Sequence, residues 1–124
     1  MALEKKALVG LHGSPAIARS FIRLLTSHFE VEQVYDVKTM LASCERSCYG
    51  FYLMDLNFGI PGGSDITPAQ RVYSLLQQQQ VGDLERKFIG VSGAEDVVAL
   101  AQQEGLPAIL NTEFAEYFRR SFPR

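Results

Sequence analysis

Short apolar runs alternate with helical patterns along the whole chain, and that alternation restricts the fold more than any other feature. "KALVGL" (6–11), "VEQVYD" (31–36), "GFYLMD" (50–55), "KFIGVS" (87–92) and "PAILN" (107–111) read as strands. Most are apolar nearly throughout, as strands are when both faces of a sheet are covered. Between them the helical period is legible. Ser14 ahead of Pro15 places an N-cap before a proline at the first helical position, and Ile17, Phe21, Leu24 and Leu25 share one face. "YDVKTMLASCERS" is a shorter, weaker helical pattern. Thr67-Pro68 repeats the cap-and-proline signal ahead of Val72, Leu75 and Leu76. "SGAED" sets a capping box from Ser92 to Glu95, leading into Val97, Val98 and Ala101. Thr112 is placed to cap the last helix, whose apolar positions are Phe114, Tyr117 and Phe118. "QQQQ" at 77–80 reads as the solvated end of a helix running into the loop "VGDLER".

Strict β-α alternation with short connections predicts a parallel sheet, helices on both faces and right-handed crossovers. For five strands the expected arrangement is a flavodoxin-like, doubly wound α/β fold of strand order 2-1-3-4-5. The chain of 124 residues is then a single domain, 1–124, with room for one sizeable core. In this topology a site forms beyond the carboxyl ends of strands 1 and 3. Asp55 ends the third strand and stands at that mouth, ahead of a Pro-Gly-Gly loop. A carboxylate there can also be a plain turn or cap residue.

Composition narrows the function classes. A formal net charge of -2 leaves no basic footprint for nucleic acid and no polybasic patch for anionic lipid. Arg119, Arg120 and Arg124 cluster at the end, as a solvated last helical turn does. No apolar run approaches the roughly 20 residues needed to cross a bilayer. "MALEKKALVG" lacks the apolar core of a secretory signal, so the expected location is the cytoplasm. Cys44 and Cys48 have no second Cys or His pair at zinc spacing and read as free thiols.

"MDLNFGIPGG" and "FIGVSGAED", with the five β/α units around them, resemble the receiver domain of two-component response regulators over nearly the whole chain. The resemblance implies that Asp55 stands where receivers are phosphorylated. It puts Asn57 where a backbone carbonyl binds Mg²⁺ and Ser92 where a hydroxyl moves toward the phosphoryl group. An aspartyl nucleophile needs a metal to neutralise the incoming oxygens and donors to hold them in line.

Two departures bear on that chemistry. Receivers end strand 1 with adjacent acidic residues that hold the metal, whereas "GLHGSP" puts His12 and Gly13 there. No carboxylate lies between Lys6 and Phe29, and Mg²⁺ prefers oxygen ligands that include one or two carboxylates. Receivers end strand 5 with a lysine and usually a proline, whereas "AILNTEF" puts Thr112 and Glu113 in those places, Asn111 just before, and Ile109 where an aromatic is common. A hydroxyl does not replace the missing ammonium.

The expectation is a degenerate receiver: a non-enzymatic signalling module that needs no cofactor and is not switched by Mg²⁺-dependent phosphorylation. The resemblance implies protein partners, whether a histidine kinase, an output domain or another signalling protein. It also implies the face for docking or homodimerisation: the fourth long helix, fifth strand and last helix, 95–121, where Phe114, Tyr117 and Phe118 offer aromatic surface. The alternative is a receiver that binds Mg²⁺ and accepts phosphate on Asp55 from a histidine kinase. His12 and Asp55 with Ser14 or Ser92 sketch a hydrolase triad, but the G-x-S-x-G elbow is absent. A flavin at "LHGSPAIARS" would lack both a Ser/Thr-rich phosphate loop and a stacking tryptophan.

Overall fold

The computed structural model describes residues 3–12, 15–58 and 65–123. Five strands, β1 Leu3–Gly10, β2 Glu30–Val34, β3 Tyr49–Asp55, β4 Phe88–Ser92 and β5 Ala108–Leu110, form one sheet in the order β2-β1-β3-β4-β5. Every pairing is parallel. The helices are α1 Pro15–Leu25, α2 Val37–Arg46, α3 Thr67–Gln78, a single turn α4 Leu84–Lys87, α5 Glu95–Gln103 and α6 Phe114–Ser121. The expected flavodoxin-like order is the observed one.

The continuous apolar strands follow from two cores, one on each face. Along β3 the side chains alternate, Phe51 and Leu53 to one face and Tyr52 and Met54 to the other. The first face packs with Ala7, Val9 and Val91 against Phe21 and Leu25 of α1 and Phe114 and Phe118 of α6. The second packs against Met40 and Cys44 of α2, Val72 and Leu76 of α3, and Val97 and Ala101 of α5. Both cysteines are free: Cys48 is exposed, whereas Cys44 is buried. Burial, then the neighbouring Cys48 and Glu45, pushes the Cys44 thiol up to about 12.

Helix starts differ from expectation in detail. The expected cap Ser14 lies outside the described residues. Thr67 is already helical, so its hydroxyl and amide both donate to the Asp65 carboxylate, which does the capping instead. No capping box forms at Ser92–Glu95; the Ser92 hydroxyl accepts from the Ala94 N–H at 3.1 Å, two residues on. Thr112 sits exposed in a 3₁₀ turn, Asn111–Glu113, and the Glu113 carboxylate takes the Leu110 N–H at 2.9 Å. Asp36, extended at φ -151, caps α2 through the Thr39 N–H at 2.7 Å. The loop expected at "VGDLER" contains α4. Among the described residues no helix is long and apolar enough to cross a membrane.

Candidate functional site

β1 and β3 are neighbours with Gly10 level with Met54, so the chain leaving β1 passes directly over the end of β3. That register brings His12 to Asp55. The His12 backbone N–H donates to Asp55 Oδ2 at 2.6 Å. Its ring Nε2 lies 3.6 Å from the same oxygen, close enough for charge attraction when the imidazole is protonated and too far for a hydrogen bond. That nitrogen is buried and has no hydrogen-bond partner among the described residues. Asp55 itself is only 8% exposed. Burial therefore pushes its carboxyl above the ordinary value, and the His12 N–H and the His12 ring pull it back only in part.

An aromatic ring closes the pair on a further side. The turn after β3, fastened by the Phe58 N–H donating to Asp55 O at 3.1 Å, folds Phe58 back over the strand ends. Its ring is buried and parallel to the His12 imidazole, interplanar angle 1°, with centroids 6.2 Å apart. Gly10 makes this possible. A Cβ there would lie 2.6 Å from Met40 Sδ and 2.8 Å from Phe58 Cε2. Gly13, the other residue expected in place of the acidic pair, lies outside the described residues.

These donors do not suit Mg²⁺. The ion asks for near-octahedral oxygen ligands. Here one buried carboxylate, already accepting from a backbone N–H, faces an imidazole nitrogen. Among the described residues no three His, Cys, Asp or Glu side chains gather as a ligand cluster.

The remaining expected positions separate into two groups. Asp55 is level with Val91, so Ser92 ends β4 beside it; Ser92 is buried and its hydroxyl holds the Ala94 N–H. Asn57 is buried in the turn that follows Asp55. Thr112, by contrast, is exposed, and no ammonium stands in its place. The structure turns Asn111 inward instead. Its Nδ2 would be 3.5 Å from a Cβ at Gly93, next to Ser92, and its Oδ1 is buried without a hydrogen-bond partner among the described residues. Phe58 and Asn111 were the residues that sequence reasoning left out of the site. Their only sequence signals are an aromatic three places after Asp55 and a polar side chain at the tip of β5.

On the expected docking face the structure makes a correction. Phe114 and Phe118 are buried, 0% and 2% exposed, and belong to the core. Phe114 packs on Phe21 with centroids 4.6 Å apart, and Phe118 meets Phe51 and Phe122. One helix carries so many aromatics because the sheet face beneath it presents Phe51, with Phe29 stacked alongside. Tyr117 is half-buried, and burial pushes its hydroxyl up. Leu100 of α5 is exposed at 39%.

No protein-family model matches this chain, and no curated protein matches it in sequence. Among solved structures, a response regulator receiver domain (CheY-like) from Methylobacillus flagellatus matches with a TM-score of 0.58 at 21% identity. The match covers 98% of this chain and 100% of that one. The likeness establishes a CheY-like receiver fold from end to end.

Proposed function

We propose that this chain is a degenerate receiver, a non-enzymatic signalling module of the cytoplasm that acts by docking on protein partners. In this reading it requires no cofactor, and Mg²⁺-dependent phosphorylation of Asp55 does not switch it. The carrying observation is the buried carboxylate held by His12, with the Phe58 ring parallel to that imidazole, where a receiver needs a metal and an open approach for phosphate. The site also lacks an ammonium at Thr112 to meet the developing phosphoryl charge.

The docking surface is then the exposed side of α5, β5 and α6, with Leu100 and Tyr117 as its apolar points and a kinase, an output domain or a second copy as partner. Phe114 and Phe118 act only by shaping α6 from beneath. Leu100→Glu and Tyr117→Glu are expected to abolish association in sedimentation or pull-down while the thermal melt stays in place. Lost association with a lowered melt would assign the residue to the core.

The phosphorylatable alternative draws support from one observation, the placement of Asp55 and Ser92 at adjacent strand ends. The two readings separate by titration. Mg²⁺ at millimolar concentration is expected to give no saturable amide shifts at residues 55–57, and acetyl phosphate is expected to leave Asp55 unmodified. A stable, hydroxylamine-labile adduct on Asp55 would overturn the degenerate reading.

A further inference from the structure

We infer that the groove between the C-terminal turns of α1 and α6 is a binding site for a small organic anion with a flat apolar body, an aryl carboxylate or aryl phosphate. Both helices run back from the strands they follow, so this groove lies at the end of the sheet opposite Asp55. It encloses about 570 Å³, within the range of small-molecule sites. Leu24, Phe118, Phe122 and Pro123 supply its apolar surface, and Arg23 and Arg119 its charge.

Charge singles this groove out. The cavity beside Arg86, Lys87 and Arg120 is also lined by Asp83 and Glu85, and the α2–α3 groove sets Glu45 against Arg71. Each mixes the two signs, so carboxylates in its own lining answer most or all of its positive charge. Among the described residues the α1–α6 groove has no carboxylate in its lining, and neither Arg23 nor Arg119 forms an ion pair. In a chain of net charge -2, two unpaired guanidiniums beside an aromatic surface are complementary to an anion carried on a ring.

The apolar wall is also fixed in place. The Ser27 hydroxyl donates to Leu24 O at 2.7 Å, and its oxygen shares a hydrogen bond with His28 Nδ1 at 2.8 Å. That bond holds the His28 ring edge-on to Phe118, centroids 5.5 Å apart, and tilted against Phe122 at 5.9 Å. A ligand ring therefore meets a prepared surface, which lowers the cost of ordering on binding.

The test uses 2-naphthoate as probe, with its neutral analogue 2-naphthalenemethanol, followed by ¹⁵N–¹H shifts of the whole chain. Saturable shifts are expected at Leu24, Ser27, His28 and Phe122. Affinity should fall about fivefold to tenfold in the double variant Arg23→Gln, Arg119→Gln, as two solvent-exposed charge contacts imply. The neutral alcohol should be weaker by a similar factor on the natural chain, which decides the matter even if the double variant melts early. Shifts that fail to saturate, that centre elsewhere, or that are equal for acid and alcohol would overturn the assignment. None of these outcomes depends on whether Asp55 is phosphorylated.

Discussion

At the carboxyl ends of the strands, one carboxylate is drawn inside and met from within the chain by a backbone N–H and an imidazole, with a phenyl ring parallel to that imidazole. At the other end, between α1 and α6, two arginines line an aromatic groove with no acid among the described residues to answer them. The first region pairs its buried charge from within the chain, and the second leaves its charge for something outside. A receiver fold is expected to be reactive at the first of these places. In this chain the carboxylate at that place is buried against His12, while the groove at the opposite end carries two arginines.

The comparison breaks most decisively if α6 is not built as described. Phe114→Ala should cost about 3–5 kcal/mol in a denaturant melt, as truncation of a fully buried ring does. An unchanged melt would put Phe114 on the surface and contradict the packing of α6 on the sheet. Next in size is Gly10→Ala, whose added methyl would meet Met40 Sδ and Phe58 Cε2. Overpacking there should cost about 1–3 kcal/mol and loosen Phe58 from His12, seen as altered shifts at both residues. A neutral outcome would mean that Phe58 does not seal the mouth.

Asp55→Asn comes third and has the opposite sign. Asparagine keeps an acceptor for the His12 N–H and removes a buried charge, so stability at neutral pH should rise by about 1 kcal/mol. The pH dependence follows from the raised carboxyl. The folded state holds its proton above the unfolded value of 3.8, so this group's contribution is full below 3.8 and is lost as pH rises through the folded value. The difference between natural chain and variant should therefore open as pH rises from 3.8 to the folded value and stay constant above it. A difference that closes with rising pH would mean that His12 stabilises the carboxylate more than burial penalises it. The smallest effect belongs to Arg23→Gln with Arg119→Gln, which should leave the melt nearly unmoved because neither side chain has an ion-pair partner to lose among the described residues.

Much of the fold was legible because burial on both faces writes itself into β3 as the unbroken run "GFYLMD". The short helix α4 was hidden because four residues carry no period. Caps moved from expectation: Asp65 rather than Thr67 holds the start of α3, and a 3₁₀ turn stands where Thr112 was to cap α6, its Glu113 carboxylate taking the Leu110 N–H. Helical spacing put Phe114 and Phe118 on one face without saying which way it turned; Phe21 and Phe51, from distant segments, decided that. The His12–Asp55 meeting could be expected from strand order, whereas the clamp of Phe58 over Gly10 rests on contacts that no local pattern encodes.

The two cysteines, so near each other and so differently placed, make the natural chain a ready spectroscopic reagent. A maleimide at neutral pH should couple to the exposed Cys48 and spare Cys44, whose burial keeps it a thiol. One fluorophore then sits just ahead of β3, the strand that carries Asp55, without any residue having been changed.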